Sequence, residues 1–325
     1  MSNLKGEIKK GGGDLILTVD LNPIINRRYF ISDFQCGKSY TAYDVQYRPG
    51  GKAIDIGLIV KSFGEPVKIT GFVGGRNGDY IIEALDNMDI DYSFVNIKEE
   101  IRTSTRILTE YGVETEIIER SPSLSNEEVL EFYRNYREMI KETEIICCSG
   151  PLPNGMPEDT YRDLILMAKE EGKKVFLDAS GEALKQGIKA SPFLIKPNRD
   201  ELEEYMGFIL TNENEIIKAA NYIMENGIEI VIVSLGKAGA IVVYQGHSYK
   251  IKMPSIDLVN SNGAGSAMLA GLAVSILRNY DFEHMLKVTA ACGGASVMER
   301  DTGTIDMVNM KTIMNEVEIE KKKIW

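Results

Sequence analysis

Val259-Asn260-Ser261-Asn262-Gly263-Ala264-Gly265-Ser266-Ala267-Met268-Leu269-Ala270-Gly271 decides how this chain is read. The first half is turn-like: Asn, Ser, Asn and two glycines. The second half opens a helix expected to run to about Arg278. A glycine-rich turn feeding a helix aims free backbone N–H groups outward, at the positive end of the helix dipole, and so suits an anion. Small residues at a helix start also suit close packing against a neighbour. The two readings differ in what should meet Gly263 and Gly265.

Upstream, the pattern is strand–helix alternation. Leu15–Val19 is a short apolar strand ending in Asp20-Leu21-Asn22-Pro23, a turn signature. Helices are expected over Tyr80–Asn87, Asn126–Lys141, Glu158–Glu171, Arg199–Met206 and Asn214–Glu225. Ser125 with Glu128 three residues on is a capping box. Strands are expected at Val67–Val73, Glu144–Cys148, Lys174–Leu177, Pro192–Ile195 and Ile228–Ser234, with a hairpin over Ala240–Lys252. Phe282–Met298 follows as a last helix. Such alternation predicts an α/β fold, a parallel sheet with helices on both faces, binding ligands at the rim where the strands end.

Some early strands do not fit that alternation. Arg28–Ser32, Thr41–Tyr47, Thr103–Glu110 and Glu114–Glu119 alternate polar with apolar residues, as half-exposed strands do. They predict a small β-sheet projecting from the main body, inserted at about residues 26–49 and 101–120, serving as a lid or a dimer surface. Gly50-Gly51-Lys52 opens a helix with Ile54, Leu58, Ile59 and Phe63 on one face, a second glycine turn suited to an anion.

Composition excludes several classes. The chain has 325 residues, 44% hydrophobic and 26% charged, enough for one large α/β domain. A net charge of −11 argues against nucleic acid and anionic membranes as partners. The four cysteines show no metal-ligand spacing, and two histidines make a histidine-based site improbable. Unpaired thiols and an N-terminus without an apolar core predict a cytoplasmic protein, with residues 1–13 a flexible tail.

Two familiar motifs fail. Gly37-Lys38-Ser39 resembles the end of a P-loop, but the required glycine is Ser32. No GxGxxG follows the first strand. Lys196-Pro197-Asn198-Arg199-Asp200-Glu201 places Asn198 and Glu201 across a helix start, where they suit either a hydrated Mg²⁺ beside phosphates or a helix cap with acidic first-turn residues.

Taken in order, Gly50-Gly51-Lys52, Ser149-Gly150-Pro151-Leu152-Pro153, the Lys196–Glu201 segment, Val233-Ser234-Leu235-Gly236 and Asn262-Gly263-Ala264-Gly265 resemble the PfkB group of ribokinase-like sugar kinases. The likeness is nearest to 1-phosphofructokinases and tagatose-6-phosphate kinases, and runs from about Leu15 to Asn315. It implies a single ribokinase-like domain, a three-layer α/β/α sandwich with a β-sheet lid through which related proteins dimerise. It implies ATP and Mg²⁺ as cofactors and a sugar phosphate as acceptor. By resemblance, Gly263, Ala264 and Gly265 hold the transferring phosphoryl group. Lys196, Asn198, Ser234 and Gly236 fall at the nucleotide, and Asn198 and Glu201 near the metal. Gly50, Gly51 and Lys52 face the sugar, while Arg102 and Lys38 grip the acceptor's phosphate and favour it over a nucleoside. Arginine suits that role because its planar fork meets phosphate oxygens in pairs.

The departures concern activity. The resemblance expects an aspartate base after the glycine turn, and the residue is Ser266. A base of this kind typically supplies about 10²–10⁴-fold in rate, or roughly 3–5 kcal/mol of barrier. It also expects an aspartate at Asn26 and an asparagine at Asp55, so one amide and one carboxylate have exchanged seats around the sugar. The expectation is therefore a sugar-phosphate kinase with weak or absent turnover, or a pseudokinase that binds nucleotide or sugar phosphate without it.

Overall fold

The computed structural model describes residues 15–324; the expected tail at 1–13 lies outside the described residues. The strands are β1 (Leu15–Asp20), β2 (Ile24–Ile31), β3 (Asp44–Gly50), β4 (Val67–Val73), β5 (Asp91–Asn96), β6 (Thr103–Thr109), β7 (Glu114–Ile118), β8 (Thr143–Ser149), β9 (Lys174–Asp178), β10 (Leu194–Ile195), β11 (Ile230–Ser234), β12 (Ala240–Tyr244), β13 (His247–Lys252) and β14 (Glu318–Lys323). Ten form the main sheet, in the order β14-β13-β12-β11-β10-β9-β8-β1-β4-β5. The stretch from β11 to β5 is parallel, while β12, β13 and β14 add on antiparallel. The apolar runs of β1, β8 and β11 are what a parallel sheet covered on both faces requires.

The helices Lys52–Ser62, Ala264–Leu277, Phe282–Met298 and Met307–Glu316 pack one on the next. A second series runs through Thr160–Glu170, Gly181–Lys189, Arg199–Met206 and Glu213–Met224. Right-handed crossovers place the two series on opposite faces of the sheet, giving the three expected layers. The Ala264–Leu277 helix is buried from Ser266 to Ser275, as a helix apolar on every side must be. Its close packing is carried at Gly271, where a Cβ would lie 2.6 Å from Cys292 Sγ.

Strand order reverses at β1, which has β4 on one side and β8 on the other. A crevice opens beyond the carboxyl ends of strands at such a reversal. Asp20, Ser149, Asp178 and Ser234 are the last residues of β1, β8, β9 and β11, so the fold gathers them along that rim.

The second sheet has the order β3-β2-β6-β7. Its four strands were all expected, although β2 and β3 are displaced by about three residues from the alternating runs. The cause is local: Ile24–Asn26 reads as turn beside Pro23, and Pro49-Gly50 reads as a breaker, yet both pair in the sheet. Four elements were not expected: β5, the Gly181–Lys189 helix, the Met307–Glu316 helix, and β14. The last is an edge strand dense in charge, Glu318-Ile319-Glu320-Lys321-Lys322-Lys323, which discourages pairing with another sheet.

Candidate active site

Gly263 caps the Ala264–Leu277 helix with φ +86, a left-handed conformation that glycine takes without strain. Ser266 is buried one residue beyond Gly265, and its hydroxyl has no hydrogen-bond partner among the described residues. A Cβ on Gly265 would stand 2.9 Å from Lys196 Nζ. The turn therefore faces a buried ammonium, not apolar packing, and close packing belongs to Gly271 instead.

Lys196 follows β10 and its side chain is 5% exposed. Its Nζ lies 3.4 Å from Asp178 Oδ1, and Lys52 Nζ lies 3.6 Å from the same oxygen. Ser149 Oγ donates to Asp178 Oδ2. Burial alone would raise the Asp178 carboxyl, but the two lysines outweigh it and hold it below the usual carboxylate range. One carboxylate thus anchors two lysines beside the glycine turn.

Asp20 closes the neighbouring corner. Its Oδ2 accepts from Ala53 N at 3.0 Å and Ile54 N at 3.2 Å, capping the Lys52–Ser62 helix. Gly51, at φ +138, makes this approach feasible, since a Cβ there would collide with Oδ2. Burial raises the Asp20 carboxyl to about 6, against the lowering pull of those N–H groups. Arg102 sits alongside Asp20, whose charge acts on it; its Nη2 donates to Asn22 O at 3.1 Å, its Nε is buried without a hydrogen-bond partner, and among the described residues no carboxylate is within hydrogen-bond reach of it. The Asn26 amide lies over Gly50.

Asp55 is 6% exposed and accepts from Thr302 Oγ1 at 3.1 Å. Burial, reinforced by Asp20, raises its carboxyl to about 8, so it carries a proton near pH 7. Thr302 also packs against the glycine turn, with its Cβ 3.1 Å from where a Cβ on Gly263 would stand. The preceding Asp301 takes Arg28 Nη1 at 2.6 Å and Arg48 Nη2 at 2.5 Å, both from the second sheet. With its amide oxygen turned to the guanidinium, Asn262 accepts from Arg106 Nη1 at 2.8 Å. Arg106 also meets Glu114 and Glu116.

The sites expected at the nucleotide also converge. Asn198 and Ser234 form an isolated parallel bridge, and Ser234 N donates to Pro197 O. Gly236 is exposed after β11. Asn198 Oδ1 accepts from Glu201 N, and Glu201 Oε2 accepts from Asn198 N, a full capping box. The cap reading of this pair is thus realised. Glu201 keeps its second carboxylate oxygen free of protein hydrogen bonds among the described residues, which fits a cation held through water. No group of three potential metal ligands occurs among the described residues. A cavity of about 200 Å³ opens between Pro254–Asp257, Met298 and the Met307–Glu316 helix.

Lys38 is the exception among the expected residues. It is exposed on the connection between β2 and β3, and among the described residues no hydrogen bond or ion pair joins it to the others. Sequence reading missed Asp20, Asp178, Arg28, Arg48, Arg106, Asp301 and Thr302. For Asp20 and Asp178 a signal existed, an acidic residue closing an apolar parallel strand. The others meet across more than 150 residues of chain, and no local pattern announces them.

Comparisons with known proteins show the family. The sequence pattern of the pfkB family carbohydrate kinases matches residues 23–308. A tagatose-6-phosphate kinase of Staphylococcus epidermidis is 35% identical over 308 residues, covering 94% of this chain and 99% of that protein. Among solved structures, a possible 1-phosphofructokinase of Thermotoga maritima superposes with a TM-score of 0.87 at 26% identity, over 95% of this chain and 100% of the other. Phosphofructokinase-2 of Escherichia coli superposes at 0.86 and 24% identity, over 93% and 98%, a likeness of fold. Among the described residues, no helix is long and apolar enough to cross a membrane.

Proposed function

Because this chain belongs to the pfkB family of carbohydrate kinases, we propose that it binds ATP with Mg²⁺ and a ketose phosphate of the tagatose-6-phosphate or fructose-1-phosphate type in the cleft at the β1 reversal, and that Ser266 makes phosphoryl transfer slow. The observation that carries this reading is the Gly263–Gly265 turn, with Lys196 against Gly265 and a buried hydroxyl next in line. Transfer joins the acceptor hydroxyl oxygen to the γ-phosphorus, breaks the bond to the β–γ bridging oxygen, and leaves one proton to be taken up. The turn, Lys196 and Lys52 stabilise charge on the transferring group, and these are the electrostatic terms on which such transfer mainly depends. Ser266 stays protonated and cannot accept the acceptor's proton, so the remaining machinery positions without deprotonating.

Arg102 grips the acceptor's own phosphate, with Lys38, exposed on the β2–β3 connection, as its second cation. Asn26 and Asp55 face the sugar, with the amide and carboxyl roles exchanged. Asn198, Ser234 and Gly236 line the triphosphate, and the cavity beside Met298 takes the base. Glu201 and Asn198 would hold Mg²⁺ near the nucleotide, where it would supply neutralisation of phosphate charge. The outer face of the second sheet exposes Val45, Tyr47 and Ile117, which supports a homodimer through this lid. The setting is the cytoplasm.

The test is ADP release from purified protein given ATP, Mg²⁺ and a panel of ketose phosphates, beside Ser266→Asp. The substitution should raise kcat about 10²–10⁴-fold with little change in KM for ATP. Turnover by the unaltered protein equal to that of Ser266→Asp would overturn the proposal. Nucleotide and sugar-phosphate binding with no turnover by either protein would favour a pseudokinase.

A further inference from the structure

Transfer to a hydroxyl leaves one proton to be taken up, and Ser266 cannot take it. Three carboxyl groups stand around the cleft, on Asp178, Asp20 and Asp55. Their surroundings divide them.

Asp178 meets Lys196 at 3.4 Å and Lys52 at 3.6 Å, and these cations hold its carboxyl below the usual carboxylate range. A carboxylate held that way is a weak proton acceptor. Asp20 is committed as a helix cap. Its Oδ2 accepts from Ala53 N and Ile54 N, and its Oδ1 accepts from Asn22 N at 3.3 Å. Asp55 differs from both. Its Oδ1 accepts from Thr302 Oγ1 at 3.1 Å. Its Oδ2 takes no hydrogen bond among the described residues and is not sealed from solvent. One oxygen is anchored and the other is left open.

The position of Asp55 suits a proton acceptor. It lies in the first turn of the Lys52–Ser62 helix, three residues beyond Lys52. The charged groups that act on it come from both walls of the cleft: Asp20 from the end of β1, Arg106 and Arg28 from the second sheet. Thr302, which donates to Asp55, also packs against Gly263, so the carboxyl and the glycine turn stand on two sides of one threonine. Burial raises the carboxyl to about 8; Thr302 lowers it, Asp20 raises it, and Arg106 and Arg28 lower it. Once ionised, such a carboxylate is a far stronger base than an exposed one, and its strength is matched to mildly alkaline pH.

We propose that the Asp55 carboxylate is the general base of this site, taking the acceptor hydroxyl's proton on its open Oδ2. This rests on the kinase reading above and names the residue that completes it. As the acceptor oxygen bonds to the γ-phosphorus, its proton passes to Asp55 Oδ2. The β–γ bridging oxygen leaves with the electron pair of the broken bond, and Asp55 then returns the proton to solvent. Thr302, donating to Oδ1, fixes the plane of the carboxylate. Near pH 7 most molecules hold Asp55 protonated, which is the slow state in which the machinery positions without deprotonating. Transfer quickens as pH rises and Asp55 ionises.

The test is the pH dependence of kcat for ADP release, with ATP, Mg²⁺ and either tagatose 6-phosphate or fructose 1-phosphate. Four proteins are compared: the unaltered chain, Asp55→Asn, Ser266→Asp and the double variant. In the unaltered chain kcat should rise about tenfold per pH unit and level off above about pH 8. Asp55→Asn keeps the side-chain volume; it should cut kcat at least about 100-fold at about pH 8.5 and flatten the profile, with little change in KM for ATP. Adding Ser266→Asp to Asp55→Asn should restore turnover without the rise toward pH 8, which separates loss of a base from loss of folding or binding. Turnover of Asp55→Asn within about threefold of the unaltered chain, or an unchanged pH profile, overturns the inference and leaves the kinase reading standing. So does a double variant as slow as Asp55→Asn while Ser266→Asp alone is fast, which would make Asp55 a binding residue. No ADP release from any of the four proteins at any pH overturns the kinase reading, and this inference with it.

Discussion

Asp178→Asn removes charge and almost no volume, so it isolates what the shared carboxylate does. Asp178 is 3% exposed at its side chain, Lys196 5% and Lys52 44%. Lys52 can turn to solvent when its partner is lost, and its share is discounted for screening. Lys196 cannot, and removing one member of a buried pair costs about 3–5 kcal/mol. The long separations of 3.4 and 3.6 Å and the fresh amide hydrogen bond to Ser149 reduce the figure. About 2–4 kcal/mol of lost stability is expected at pH 7. Urea unfolding followed by circular dichroism reads this as a lower midpoint at constant m-value. ATP affinity should fall about tenfold in the folded variant, because the ammonium beside Gly265 loses its anchor. A stability change under about 0.5 kcal/mol at pH 7 would refute the reasoning, since it would mean that Lys196 has no need of its partner.

Other outcomes follow from the same contacts. Asp55, raised to about 8, and Asp20, raised to about 6, bind protons more tightly folded than unfolded. That contribution is fully present below about pH 4 and is lost as pH rises through 6 and then 8, so thermal stability should fall across that window and Asp55→Asn should flatten the upper part. Gly51→Ala would force a Cβ into Asp20 Oδ2 at φ +138; loss of the cap plus backbone strain should cost about 2–4 kcal/mol, read from the urea midpoint.

Much of the fold was legible because its signals are local. The Arg199–Met206 helix carries its own cap, and Ser125 with Glu128 closes as a capping box. The Ala240–Lys252 hairpin shows as two apolar runs about a Gln245-Gly246 turn. β5, by contrast, reads as a mixed polar run in Asp91–Asn96, and its pairing with β4 is a tertiary fact. β14 holds three lysines and two glutamates in six residues, and only its partner β13 makes it a strand. The site divides in the same way. The glycine turn and the Lys196–Glu201 segment are contiguous and readable. Asp301 with Arg28, and Thr302 with Asp55, join residues some 270 and 247 positions apart, and side-chain chemistry at either end predicts no such meeting.

Asp301 and Thr302 are consecutive, yet one holds the second sheet and the other touches both the glycine turn and Asp55. A single peptide unit therefore serves two clients that lie on opposite walls of the cleft. Whatever free energy an anion at the turn draws from having that unit in place, the sheet receives back as tighter docking when the anion is present. The exchange is reciprocal by thermodynamic necessity. A second subunit pressed on the outer face of the sheet would be felt at the turn to the same extent that an occupant of the turn is felt by the subunit.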